Sequence, residues 1–268
     1  METERAREDE PTPESWKGAG WELIPEIPLS PAANVALDQV LLSQVGAGQR
    51  PPTLRFWGWG GQALVLGSFQ SVRNEVEEDV AREMGVEIVR RMSGGGTMFV
   101  QPGRTITYSL YVPEHLLKGV GIAASYALCD GWVVNALRAM GLEAWYAPLN
   151  DIACAGGKIA GAAQARRPGI ILHHTTMAYE MRGEEMMRLI RIGRERRSDK
   201  GIVSAAKQVY PLHRQTELSR EQIVARLTEH FQSTFGLKET ALSAQDLLMT
   251  EELVASKYGT ESWTYSLP

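Results

Sequence analysis

The run Thr105–Val112 alternates without a break, with Ile106, Tyr108, Leu110 and Val112 on one side and Thr105, Thr107, Ser109 and Tyr111 on the other. A period of two belongs to an extended strand, whose successive side chains point to opposite faces. The pattern predicts a half-buried strand and therefore a sheet with one covered face. Further strands are expected at Leu54–Trp59 and Ala63–Gly67, where Gly60-Gly61 reads as a hairpin turn, and at Val86–Val89. Three more follow at about Asp151–Cys154, Lys158–Ala163 and Ile170–Glu180, the first two joined by the tight turn Ala155-Gly156-Gly157.

Helices alternate with these strands. Ser30-Pro31 supplies an N-cap and a first-turn proline for a helix to about Val45, with Ala33, Leu37, Val40 and Leu41 on one face. A charged helix is expected near Glu75–Met84, and another over Ile122–Met140, its apolar stripe Cys129, Val133, Ala136 and Met140 ending before Gly141. The chain turns helical again after Gly183. Ser219-Arg220-Glu221-Gln222 has the form of a capping box ahead of Ile223, Leu227, Phe231 and Phe235, and a last helix starts near Ser243. The expected fold class is α/β (α+β): a central mixed, mostly antiparallel sheet flanked by helices.

Residues 1–18 are charged and proline-bearing and are expected to form a disordered tail ahead of one domain over 19–268. With 268 residues and 44% hydrophobic content, that domain can bury a sizeable core. A net charge of −4 argues against nucleic acid as a partner. No stretch of about eighteen apolar residues is present, so no membrane span is expected. Two cysteines make no disulfide framework and form no zinc-type cluster, which points to the cytoplasm.

Chemistry concentrates in Arg90-Arg91-Met92-Ser93-Gly94-Gly95-Gly96-Thr97. Consecutive glycines allow close backbone approach to a ligand, and guanidinium groups bind carboxylate or phosphate oxygens bidentately. The segment therefore suggests a site for an anionic group. Further on stand Asn150-Asp151, Lys158-Ile159-Ala160-Gly161-Ala162-Ala163-Gln164 and Leu172-His173-His174-Thr175-Thr176. Because strand residues alternate, His173 and His174 must face opposite sides of the sheet, so only one of them can line a site. The four basic residues Arg191, Arg194, Arg196 and Arg197 form a patch that most simply reads as a solvated loop or helix end.

In this order and spacing, the RRxSGGG segment, the ND pair, the KIxGxAQ strand and the LHHxT strand resemble the catalytic domain of lipoate–protein ligases. The wider family takes in octanoyl and lipoyl transferases and, more distantly, biotin ligases. The likeness spans roughly residues 20–265. It implies a two-step reaction, in which lipoate and ATP, with Mg²⁺, form lipoyl-adenylate and a carrier-domain lysine then takes the acyl group. Implied acceptors are lipoyl-carrier domains, the 2-oxoacid dehydrogenase E2 and the glycine-cleavage H protein. Lys158 is implied as the catalytic cation, and Asp151 as a ligand for Mg²⁺. Arg90, Arg91, Ser93, Gly94, Gly95, Gly96, Thr97, Gly161, Ala163, His174 and Thr176 are implied to line the acyl-adenylate pocket.

Two departures qualify the likeness. Val100-Gln101-Pro102-Gly103-Arg104 stands where the family carries a His-Asp pair and a Gly-Asn, so Arg104 either adds charge for a phosphate or blocks part of the nucleotide site. The accessory domain of many ligases has no counterpart here, which implies a separate accessory-domain protein or no adenylate at all. The alternative is an octanoyl or lipoyl transferase working without ATP through a cysteine thioester. Cys129 reads as a core thiol, and Cys154, four residues before Lys158, matches neither transferase position. A non-catalytic acyl or nucleotide sensor is a third reading, opposed by the retained Lys158, arginine pair and Asp151.

Overall fold

The computed structural model describes residues 9–205 and 207–267. Its strands are β1 (Glu22–Ile24), β2 (Pro28–Leu29), β3 (Thr53–Phe56), β4 (Gly58–Trp59), β5 (Ala63–Leu66), β6 (Glu87–Arg90) and β7 (Met98–Val100). They continue with β8 (Thr105–Pro113), β9 (Trp145–Ala147), β10 (Asp151–Cys154), β11 (Gly157–Arg167), β12 (Ile170–Ala178) and β13 (Lys238–Glu239). The main sheet runs β13-β1-β3-β8-β12-β11-β10-β9, parallel at β13-β1-β3 and antiparallel from there on. A second sheet, β6-β5-β7, stands beside it. The expected mixed, mostly antiparallel architecture is what the chain adopts.

Helix α1 (Pro31–Gly46) starts at Ser30, whose hydroxyl accepts from the Ala33 amide at 3.2 Å. It is not the one-faced helix expected. Val35, Ala36, Leu37, Val40, Leu41 and Leu42 are all buried, because α1 lies between the two sheets. The far side of the main sheet is covered by α4, counted after two short helices (α2, Val72–Glu75; α3, Glu78–Glu83), which spans Ile122–Ala139. After α5 (Gly183–Leu189), α6 (Arg220–Phe235) packs on the same side. It carries the expected capping box, and Ile223, Leu227, Phe231 and Phe235 are buried. Helix α7 (Ala244–Leu253) closes over α1.

Three expectations are corrected. First, β8 is buried on both faces. Its apolar side meets Trp132 and Phe231. Its polar side is tolerated under α1 because each group has a partner: Trp59 Nε1 donates to Thr107 at 3.1 Å, Trp57 Nε1 to Ser109 at 2.8 Å, and Tyr111 O–H to Asp38 at 2.5 Å. Second, Gly60-Gly61 makes no hairpin. β3 pairs with β8 in the main sheet, whereas β5 pairs with β6 and β7, so the glycines carry the chain from one sheet to the other. Third, the expected tail is tied down over its described part. Trp16 is fully buried, 4.8 Å from the Trp21 ring and 5.3 Å from Phe235, and the Glu10 amide donates to Asn135 at 2.7 Å. Burying an indole this size outweighs the ordering of a few residues. Residues 1–8 of that tail lie outside the described residues.

Candidate active site

A cavity of about 460 Å³ opens between the glycine loop on one side and β10–β11 on the other, well within the range for a small-molecule site. The loop is compact because glycine lets it be. Gly95 has φ +88°, and a Cβ on Gly67 would fall 2.1 Å from the Gly95 carbonyl oxygen. Gly95, Gly96 and Thr97 reach the cavity wall, joined by Gly161, Ala163 and Thr176 from β11 and β12.

The arginine pair does not present itself to a ligand as expected. Arg90 is fully buried and points away from the cavity. Its guanidinium donates to the carbonyls of Gly67 at 3.0 Å, Gln70 at 2.7 Å and Thr264 at 2.6 Å, tying the C-terminal segment to the loop. Arg91 edges the cavity, yet its donors go to Ser93 Oγ at 2.9 Å and to the carbonyls of Val65, Gly94 and Gly96 at 2.8, 2.6 and 2.8 Å. Burial pulls its guanidinium down to about 10, which leaves it charged at neutral pH. Both arginines build the loop.

Ser93 and His174 sit behind the cavity wall. The antiparallel register sets His174 opposite Ser109 and His173 opposite Leu110, so the two histidines face opposite sides of the sheet. His174 points to α1, where its Nδ1 lies 3.0 Å from Asp38 Oδ2. His173 points to α4, with Nε2 2.9 Å from Asp130. Asp38 also takes Arg55 at 3.2 Å and Ser109 at 3.0 Å. Among the expected pocket residues, Gly94 likewise stays off the cavity lining; it packs against the Phe69 ring.

Lys158 and Asp151 meet on the opposite wall. Lys158 Nζ lies 2.9 Å from Asp151 Oδ1, and Lys207 pairs with the other carboxylate oxygen. Gly161 makes room for this, since a Cβ there would stand 2.6 Å from Lys158 Nζ. Asp151 is thus the counter-ion of two ammonium groups, although its Oδ1 accepts no hydrogen bond. One carboxylate facing two cations leaves no net negative charge of its own to hold Mg²⁺. The expected role of Asp151 as a magnesium ligand finds no second carboxylate in the cavity lining, among the described residues, to support it. Arg104 also lies elsewhere, in an open cleft with Gln62, Met84, Gln101, Pro102 and Glu185.

Several residues here carried no sequence motif. Glu75 accepts from the Ser204 amide at 2.9 Å and from the Thr97 hydroxyl at 3.2 Å, joining the loop after Gly201 to the glycine loop. Phe99, Met181, Met186 and Ile192 supply apolar wall. The basic patch is exposed except for Arg191, as a solvated loop would be, and its charges are paired locally: Arg191 and Arg197 bind Glu77 at 2.6 and 3.0 Å, Arg194 joins them, and Arg196 donates to three loop carbonyls. Neither cysteine lines the cavity. Cys129 is buried against Trp132 and its neighbours, where burial pushes the thiol far up, and Cys154 is buried with its thiol also raised by burial.

A large, mostly antiparallel sheet flanked by helices, with a lysine and a glycine loop facing each other across an apolar cavity, defines an enzyme of the lipoate ligase and transferase class. The chain belongs to the lipoyl protein ligase A/B catalytic domain family, whose model matches residues 30–232. It is similar to the octanoyltransferase LipM of Geobacillus kaustophilus, 28% identical over 91% of this chain and 98% of that one. LipM of Bacillus anthracis is also 28% identical, over 88% and 94%. In fold it resembles the bi-partite lipoate protein ligase of Thermoplasma acidophilum, solved with its E2 lipoyl domain, at TM-score 0.79, 24% identity and coverage of 93% and 97%. A lipoate-protein ligase A bound with ATP gives TM-score 0.77 at 24% identity, covering 93% of this chain and all of that one. Among the described residues no helix is long and apolar enough to cross a membrane.

Proposed function

We propose that this protein attaches a medium-chain acyl group, octanoyl or lipoyl, to the lysine of a lipoyl-carrier domain. The observation that carries this reading is the placement of Lys158, at the wall of a largely apolar cavity and across from the glycine loop. The apolar walls suit an aliphatic chain. The ammonium group stands where it stabilises negative charge on the acyl carbonyl oxygen as the carrier amine attacks. Asp151 holds that ammonium in place.

Kinship favours octanoyl transfer, the activity named for relatives that match along nearly their full length; the donor in this reading is an acyl-carrier thioester. In that reaction the carrier amine ends bonded to the acyl carbon, the donor thioester C–S bond breaks, and the thiol leaves with a proton. One observation favours a second reading, ATP-dependent ligation of lipoate, with or without a separate accessory protein. A transferase that passes the acyl group through its own cysteine needs a thiol at the cavity, and both thiols of the chain are buried outside it.

Mass spectrometry of an apo lipoyl domain incubated with the enzyme separates the two. Modification from octanoyl-carrier protein without ATP establishes the transferase. Modification from lipoate only with Mg-ATP establishes the ligase. An unmodified domain in every tube, with or without a candidate accessory protein, overturns both.

A further inference from the structure

Apolar side chains rim the cavity mouth. Phe69 is 62% exposed, Leu149 50%, Ile202 48% and Val203 49%, and these are four of nine large hydrophobic side chains so exposed among the described residues. Leu149 and Val203 both line the cavity itself. Phe69 lies over Gly94 of the glycine loop, and the Ile202 amide donates to the Phe69 carbonyl at 2.9 Å. The rim is held in place from beneath, since Gln70 Nε2 donates to Ser204 Oγ at 3.1 Å and the Thr97 amide donates to it at 2.9 Å. Exposed cations flank it: Arg73, Lys200 and Lys207. The Asn74 side chain, next to Arg73, donates to the Lys200 carbonyl at 3.0 Å and so keeps two of them on adjoining segments.

An exposed apolar cluster around a site entrance is a mark of association, because singly scattered hydrophobic side chains would not gather there. We infer that this rim is the docking surface for the acceptor, a protein domain that presents its lysine on an exposed turn with apolar and carboxylate side chains beside it. The inference rests on the acyl-transfer reading above and adds the surface that selects the acceptor. The acceptor lysine enters at this mouth, past Leu149 and Val203, to reach Lys158, and its neighbours then land on Phe69 and Ile202. Arg73, Lys200 and Lys207, the last also paired with Asp151, outnumber the exposed Asp199 at this rim on a chain of net charge −4, so an acceptor bearing carboxylates is drawn to this face.

The test compares wild type with Phe69→Ser and Ile202→Ser, using the acyl donor that supports turnover, and scores transfer to the folded lipoyl domain and to a short lysine peptide. Leu248→Ser, an exposed position on α7, serves as the control. The rim assignment expects KM for the folded domain to rise roughly tenfold in both rim variants, with transfer to the peptide and KM for the donor within about twofold of wild type. Leu248→Ser should match wild type. Unchanged KM for the domain overturns the assignment, as does a parallel loss of peptide transfer. A dimer in wild type that turns monomeric in Phe69→Ser, with the domain's KM unchanged, overturns it too and gives the rim to a second copy of the chain. A wild-type enzyme that modifies neither acceptor defeats the acyl-transfer reading itself, a separate result.

Discussion

Ser93 Oγ lies 2.6 Å from His174 Nε2, and this contact joins the glycine loop to the first long helix. On its other side His174 faces Asp38, a carboxylate that can only accept, so the ring proton sits on Nδ1 and Nε2 accepts from the serine. Arg91 Nε in turn donates to the same serine oxygen. One buried chain of polar contacts thus runs from α1 through β12 to the arginine that shapes the cavity edge.

Burial lowers His174 below its ordinary 6.5, against the opposing pull of Asp38. The unfolded chain therefore binds a proton at this residue over a window in which the folded one does not. Stability from this residue is complete above 6.5 and is lost as pH falls through and below that value. Thermal unfolding of wild type and His174→Gln between about pH 5 and 8 should show the wild type losing Tm more steeply on the acid side. Parallel curves would mean that the imidazole titrates alike in the folded and the unfolded chain.

Arg90 closes the C-terminal segment over the loop through carbonyls that have no water to turn to. Arg90→Ala should lower the unfolding free energy by about 3 kcal/mol in urea, since several buried acceptors lose a charged donor. Undiminished stability with weakened donor binding would instead make it a ligand contact.

Gly161 and Lys158 should separate activity from folding. The Cβ of Gly161→Ala meets the movable end of Lys158, so the variant should keep its Tm within a few degrees while transfer falls roughly tenfold. Lys158→Ala should cost about 10²–10³ in turnover, the scale of one lost charge-stabilising group. Initial rates beside melting curves decide both. Gly161→Ala with wild-type turnover would show that the lysine works from another position.

The double variant Cys129→Ser, Cys154→Ser should retain transfer within a few-fold, and the intact mass of wild type incubated with octanoyl-carrier protein should show no acyl adduct. A thioester on either cysteine would restore a thiol mechanism despite the burial.

Patterns carried by chain-local chemistry were readable. Serine caps at Ser30 and Ser219, the period of two in β8 and the opposite facing of His173 and His174 all follow from neighbours in sequence, and the structure has each of them. Motif order was enough to bring Lys158, Asp151 and the glycine loop to one cavity. Composition and pattern did not disclose that β8 has two covered faces, because threonine and serine hydroxyls become buriable only when Trp57, Trp59 and Asp38 arrive from elsewhere to bond them.

The roles of charged residues were the least legible. An arginine beside three glycines carries the same chemistry whether its partner is a phosphate or a row of carbonyls, and only the folded chain put Gly67, Gln70 and Thr264 within reach of Arg90. Asp151 likewise became a counter-ion once Lys207, distant in sequence, was folded beside it. By itself the sequence determined most of the elements, the fold class and the family of chemistry, since those rest on local periodicity and on motif order. It did not determine the division of its strands between two sheets at Gly60-Gly61. Tertiary structure alone decided which polar groups remain free to act, because a hydrogen-bond donor is spent or available according to neighbours that the chain brings together from far apart.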